Sequence, residues 1–483
     1  MRFRNTVAIG ALFLALAGYL YFVENPRQRH EAEAKKLLRF EPQDVGEVTL
    51  TYPDQQIVVK RTAAGWHLQK PIDVDADQTA VDNLVQAISD AEVKRTVESD
   101  GTSLGVYGLD KPETIVSVEL SNGKKLPAIR VGKTAPVGFS AYAQLEGSSE
   151  VKLVPSVFQS GMKRDVKDLR DKTVIDFKDE DVHSIELATP QSLIEVSRDG
   201  SRWKIDKPAT LAADPTEIRG LLSSLRGVRA EDFVDAPASL ADYGLDAPRE
   251  KIAVVLGKDN TRKELWIGAE KADKSKNMLY VKRPDAATVY AVGSWNWGSL
   301  NKDVSALRDK TVLPFDLEKL AVIEVTRRDG EAYRLVKEAP PASEGGASAA
   351  AEPARTAVEV VWTVSGEKRS KTVQIDALAG DLHGLKGYEI AAEKPENLAA
   401  YGLAEPELTF SLIDVAGKPI GRVLVGQVGG VAAPPPDAYA MADGGDVVYR
   451  IRGYLYSHLD KKKEDFLEAP PGTTPSPAAT TAR

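Results

Sequence analysis

The stretch Tyr107-Gly108-Leu109-Asp110-Lys111-Pro112 decides how the chain is read, because it returns as Tyr243-Gly244-Leu245-Asp246-Ala247-Pro248 and again as Tyr401-Gly402-Leu403-Ala404-Glu405-Pro406. Each copy stands between a helical apolar pattern and an alternating strand pattern. Gly at the second position can take φ > 0, and Pro at the sixth stops a helix and opens an extended segment. The motif is turn chemistry, and its recurrence predicts three similar domains.

Outward from the first copy, Val48, Leu50 and Tyr52 alternate with Glu47, Thr49 and Thr51, the period-two pattern of a half-buried strand. A second strand, Ile57 to Arg61, turns through Thr62-Ala63-Ala64-Gly65 into Trp66-His67-Leu68-Gln69-Lys70-Pro71, which makes a hairpin. Asp77 then caps a helix whose Val81, Leu84, Val85 and Ile88 form one apolar face. Past the turn, Val116, Val118 and Leu120 alternate, further short strands follow at Arg130 to Lys133 and Ala141 to Ala143, and Val166 to Lys172 closes the unit.

The same order recurs at a nearly constant offset. Trp66 and Pro71 return as Trp203 and Pro208, Tyr142 as Tyr280, and Leu169-Arg170-Asp171-Lys172-Thr173-Val174 as Leu307-Arg308-Asp309-Lys310-Thr311-Val312. In the third copy Trp362, Tyr439 and Phe466 take the places of Trp203, Tyr280 and Leu307. The helix faces correspond as well, through Ile218, Leu221, Leu222 and Leu225, then Ile375, Leu378, Leu382 and Leu385. Strands outnumber helices and do not alternate strictly with them, so the expected fold is α+β with largely antiparallel sheets. Each unit is long enough for its own core, which gives repeat domains over 40–174, 175–312 and 313–467. The third carries an Ala-, Pro-, Glu- and Gly-rich insertion at 338–357, expected to be flexible, with a second insertion at 429–436 and a disordered tail at 468–483.

Before the repeats, Val7 to Val23 runs without a charge between Arg2, Arg4 and Glu24. Seventeen residues rise about 25 Å as a helix against a hydrocarbon core of ~30 Å. The expectation is a transmembrane helix at 7–23 after a cytoplasmic N-terminus at 1–6, with a polar stalk at 24–39 and the bulk of the chain outside the cytoplasm. Ala15-Leu16-Ala17 keeps a cleaved signal peptide open as the competing reading.

Composition bounds the chemistry. With 42% hydrophobic and 28% charged residues the chain belongs with folded globular proteins, and a net charge of −8 gives no nucleic-acid footprint. Cys is absent, which removes disulfides, thiolate metal sites, Cys nucleophiles and a lipid-modified Cys. His30, His67, His183, His383 and His458 lie apart with no ligand spacing, and Asp179-Glu180-Asp181 reads as a solvated turn. No nucleophile elbow or Walker loop is present, and Gly444-Gly445 lacks the Lys-Ser/Thr that holds phosphate. No catalytic residue, metal ligand or cofactor is therefore assigned. Trp66, Trp203 and Trp362, with Tyr107, Gly108, Tyr243, Gly244, Tyr401 and Gly402, read as structural anchors of the repeat. Trp295-Asn296-Trp297 maps to Val157-Phe158-Gln159 and to Tyr454-Leu455-Tyr456. Trp295, Trp297, Tyr454 and Tyr456 are thus a candidate binding platform for a glycan or a protein partner, against the competing reading of interior packing.

With its Trp-x-Leu/Ile-x-Lys-Pro hairpin end and Tyr-Gly-Leu-Asp-x-Pro turn, the sequence resembles the bacterial family catalogued as domain of unknown function (DUF) 4340. The third copy departs at Gly366-Glu367, where Lys-Pro is the pattern, and at Ala404 in place of Asp. The resemblance implies an envelope protein of the cytoplasmic (inner) membrane with an amino-terminal span, some relatives being companions of gliding-motility-type ABC transport systems, and it implies no catalytic residues. The functional expectation is a non-enzymatic, membrane-anchored scaffold or binding protein partnered by envelope or transporter proteins. Binding of glycan or cell-wall polymer is one alternative, and a hydrolase with an unfamiliar site is another.

Overall fold

The computed structural model describes Phe13 and residues 35–468, except 99, 101–102, 137, 258, 272–276, 339–360, 366, 368–369 and 428–435. In the first repeat β1 (Val45–Thr51), β2 (Gln56–Thr62), β3 (Gly65–Lys70) and β4 (Val74–Asp75) lead into α1 (Gln78–Ser89). Strand β5 (Arg95–Glu98) follows, then β6 (Thr114–Leu120), β7 (Ile129–Thr134), β8 (Ser140–Leu145) and β9 (Val151–Pro155), and the short helix α2 (Ser156–Gly161). The strands form one sheet in the order β4-β3-β2-β1-β6-β7-β8-β9-β5. The pairings within it are antiparallel, Val48 facing Val59 and Leu50 facing Ile57 between β1 and β2. The alternation of apolar and polar residues in β1 buries Val48 and Leu50 to 1% exposure and turns Glu47 and Thr49 outward.

Helix α1 begins where Asp77 accepts a hydrogen bond from the Ala80 amide at 2.9 Å, satisfying one of the amides a helix start leaves open. Its buried Val81, Leu84, Val85 and Ile88 lie on one face at helical spacing, and they share a core with β1, β2, β6 and β7. The second sheet has nine strands in the same order, and the third has eight among the described residues, which hold no counterpart of β4. The matching helices are α3 (Pro215–Arg226), α4 (Trp295–Leu300), α5 (Thr372–His383) and α6 (Gly453–Leu459). In the third repeat Ile375, Leu378 and Leu382 of α5 pack with Leu335, Phe410 and Val425 in a comparable core.

Contact density divides the chain into two compact units. One comprises Met1–Lys178, Ser224–Ala253 and Arg262–Trp297, and the other Asp179–Ser223, Val254–Thr261 and Gly298–Arg483. The first repeat belongs wholly to the former and the third wholly to the latter.

One expectation is corrected. No helix among the described residues is long and apolar enough to cross a membrane, which overturns the architecture that included a transmembrane helix. The stretch 7–23 itself lies, Phe13 apart, outside the described residues. Within the stretch read as a polar stalk, Leu37 and Leu38 are 5% and 6% exposed and belong to the first core. The Leu37 amide donates to Ala91 O at 2.7 Å, just beyond α1, a main-chain pairing that a charge-rich flank had concealed. The insertions at 339–357 and 429–435 and the tail at 469–483 lie outside the described residues.

Candidate functional site

The recurring turn brings together side chains that the sequence separates. Gly108, Gly244 and Gly402 have φ of 68°, 62° and 67°, the left-handed region where a Cβ is disfavoured. The following Leu109, Leu245 and Leu403 are buried. The turn lies so close to a neighbouring strand that a Cβ on Gly132 or Gly268 would come 2.3 Å from the carbonyl oxygen of Tyr107 or Tyr243. Each turn tyrosine thereby meets a second one, Tyr107 with Tyr142 at 4.7 Å between ring centroids, Tyr243 with Tyr280 at 4.8 Å and Tyr401 with Tyr439 at 5.2 Å. These tilted and edge-on pairs suit the ring quadrupole, and the tyrosines are half-buried.

The three tryptophans fix hairpins. Trp66 and Trp362 donate their indole N–H to Asp82 of α1 at 2.8 Å and to Asp376 of α5 at 2.6 Å, and both rings are buried. Cations lie over each ring, Arg61 at 4.4 Å from Trp66, Arg198 at 5.2 Å from Trp203 and Lys337 at 5.9 Å from Trp362. In the second repeat Arg219 stands where Asp82 would.

The proposed aromatic platform divides. Trp295 is 73% exposed and Tyr454 61%, whereas Tyr456 is 8% exposed and Trp297 is half-buried with the Arg249 guanidinium 5.6 Å from its ring. Residues two apart on a helix point to different sides, so neither pair makes one flat surface. The equivalent residue at the start of the helix nevertheless stays outside in every repeat, because Val157, in the first turn of α2, is also 73% exposed.

The Leu-Arg-Asp-Lys-Thr-Val motif builds joints. Its first copy donates the Asp171 amide to Asp75 O at 2.9 Å and accepts from the Asp77 amide through Leu169 O at 2.9 Å, while Lys172 O accepts from the Ala230 amide at 2.8 Å. The Arg170 side chain, 7% exposed, sits 2.7 Å from Asp235 and 4.0 Å from the Phe233 ring. The second copy repeats the geometry with Asp309 N to Ala212 O at 2.9 Å, Asp214 N to Leu307 O at 2.8 Å and Gly387 N to Lys310 O at 3.0 Å. Its Arg308 pairs with the Glu393 carboxylate.

The joints differ in one cation. Lys386 Nζ lies 2.7 Å from Asp214 and 3.9 Å from Asp309. Burial raises the Asp214 carboxyl, but the Lys386 bond and the Thr216 and Glu217 amides outweigh it and hold the group below the usual range. At the first joint the matching Arg229 turns to the carbonyls of Arg226 and Val228, at 2.8 and 3.2 Å. A cleft of about 700 Å³ is left beside it, lined by Trp66, Asp75, Asp77, Asp171, Lys172 and Arg229 among others.

One buried ionisable group has no compensation. Glu250 is 1% exposed, and no hydrogen-bond partner for its Oε2 is found among the described residues. Burial pushes its carboxyl up to about 8. The equivalent positions, set by the strand register, hold Thr114 and Leu408, also buried. His67 bridges Asp73 at 2.5 Å and Asp75 at 3.2 Å, and the Asp73 bond leads in raising its pKa. His458 is 3.6 Å from Asp381, and the His383 ring meets Phe315 edge-on at 5.2 Å. Among the described residues no three His, Cys, Asp or Glu gather in a way that would hold a metal ion.

The sequence displayed the joint motif without revealing that it bridges repeats. The available signal was its place at each repeat boundary. The tyrosine pairs were equally unforeseen, although Tyr142, Tyr280 and Tyr439 recur in step with the turns.

A family model described as "Domain of unknown function (DUF4340)" matches residues 66–239, 203–361 and 362–470. The three matches begin at Trp66, Trp203 and Trp362, and the first two run on through a joint. No curated protein and no solved structure matches the chain.

Proposed function

From the premise that the chain belongs to the DUF4340 family along three stretches, we propose that it is a non-enzymatic binding or scaffold protein that meets one protein partner through equivalent contacts on its repeats. The observation that supports this most is the recurrent exposed residue Val157, Trp295 and Tyr454, at 73%, 73% and 61%. Large apolar side chains in water at one equivalent position of three copies are contact points more readily than packing residues. Valine has no ring on which a sugar could stack, so apolar pockets on a protein accommodate all three better than a glycan does.

The partner class in this reading is a component of an ABC-type transport or surface-assembly complex, met outside the cytoplasm. Placing a photo-crosslinking residue at 157, 295 and 454 in living cells tests it. The reading requires one protein to be captured from all three positions and not from the exposed Lys60 on β2. Capture equal to that at Lys60, or none, defeats it. An alkaline phosphatase fusion at Arg39 tests the compartment separately, and an inactive fusion would place the repeats in the cytoplasm.

A further inference from the structure

The two joints have a third relative ahead of the first repeat. Lys35-Lys36-Leu37-Leu38-Arg39-Phe40, Lys172-Thr173-Val174-Ile175-Asp176-Phe177 and Lys310-Thr311-Val312-Leu313-Pro314-Phe315 share Lys at the first place, apolar residues at the third and fourth, and Phe at the sixth. Their backbones are held alike. Lys35 O, Lys172 O and Lys310 O accept from the amides of Val93, Ala230 and Gly387 at 2.7, 2.8 and 3.0 Å. The next residues, Lys36, Thr173 and Thr311, form antiparallel bridges with Glu92, Arg229 and Lys386. The amides of Leu37 and Val312 donate to Ala91 O and Leu385 O at 2.7 and 2.9 Å.

The apolar members are inserted in every case. Leu37 and Leu38 are 5% and 6% exposed, Val174 and Ile175 are at 0% and 1%, and Val312 is at 5%. Phe177 is buried, and Phe40 and Phe315 pack against the first and third cores. At the second and third repeats the segment is supplied by the repeat before. At the first it is supplied by residues that precede any repeat.

We infer that Lys35–Phe40 is a docking strap of the kind that links the repeats, and that the edge it fills at Ala91–Val93 is a groove for an extended peptide reading Lys-x-apolar-apolar-x-Phe. Main-chain hydrogen bonds to the segment that leads into the edge strand β5 supply affinity, and the pockets under the two apolar residues and the Phe supply selectivity. The occupant in the structure is the chain's own strap, and the ligand class is the same six-residue pattern carried by another copy of the module. The exit of the third repeat departs from that pattern, with Ala469 in place of the Lys and Pro471, which has no N–H, in place of Val312. This inference concerns an edge distinct from the exposed Val157, Trp295 and Tyr454, and neither stands or falls with the other.

The chain's lack of Cys permits a clean test in the full-length protein. Oxidised Lys36→Cys/Glu92→Cys locks the strap across its bridge, and Leu37→Asp/Leu38→Asp releases it. A fluorescent peptide of residues 171–178 is titrated against both by anisotropy, with a scrambled peptide as control. The released variant is expected to bind at least tenfold more tightly than the locked one. Equal affinity, or equal binding of the scrambled peptide, overturns the inference. If release unfolds the first repeat, the peptide should raise its urea midpoint with the logarithm of its concentration, and a midpoint unmoved at high peptide concentration also overturns it.

Discussion

Replacing Glu250 with leucine, the residue Leu408 supplies at the same place in the third repeat, should stabilise the unit that contains it and flatten its response to pH. The carboxyl rises from 4.5 to about 8 through burial alone, with no cation or donor to offset the loss of water. Below pH 4.5 both folded and unfolded forms hold the proton and the group is neutral in its effect. As pH rises toward 8 the unfolded chain releases the proton while the folded chain keeps it, so stability falls through this window and levels off above it. At about 1.4 kcal/mol per unit, the loss is on the order of 3 kcal/mol at pH 7. At roughly 2–4 °C per kcal/mol, the variant should melt about 6–12 °C higher near neutrality and nearly level with the parent at pH 4.5. Melts followed by intrinsic fluorescence across this range give the difference between variant and parent, in which other titrating groups cancel. Glu250→Gln separates charge from packing, since it removes the titration and keeps a polar head. Parallel pH profiles for parent and both variants would refute the reasoning.

Adding a methyl group at Gly268 should cost about 2 kcal/mol or more, because its Cβ would lie 2.3 Å from the Tyr243 carbonyl oxygen, and circular dichroism melts of Gly268→Ala will read this. Lys386→Ala leaves the Asp214 carboxylate short of its cation and should weaken the second joint by about 1–2 kcal/mol, seen as faster hydrogen exchange at Gly387. The His67 imidazole is held above 6.5 first by its bond to Asp73, so what that bond contributes is present at lower pH and fades as pH passes the folded value. Titrating the His67 ring by NMR should show this raised midpoint, and Asp73→Asn should bring it down.

The fold was legible wherever local pattern and burial coincide. Alternation in Val48, Leu50 and Tyr52 and the helical spacing of Val81, Leu84, Val85 and Ile88 follow from the periods of strand and helix, and both sets face a core. Lys35 to Phe40 was illegible because its apolar pair is too short to show a period and lies among charges. Its role comes from pairing with Ala91–Val93, more than fifty residues away, which no local window contains. The site suffered likewise. Trp295 and Trp297 look equivalent in sequence, but helix geometry sends one outward and sets the other under Arg249. Glu250 gave no signal of its own, since an acidic residue at a strand start ordinarily faces water.

The joints also bear on how such a chain can change length. The first and second modules each leave behind the piece that shields the next, so a gene that gains or loses one such copy adds or removes one raw edge together with one shield. A break placed between Val174 and Ile175 would instead divide a shield between two fragments, whereas a break that keeps residues 172–177 with the following module preserves it. Heredity and the experimenter's scissors face the same rule: the separable unit begins before the lysine of the six-residue segment, not after the last residue that looks repeated.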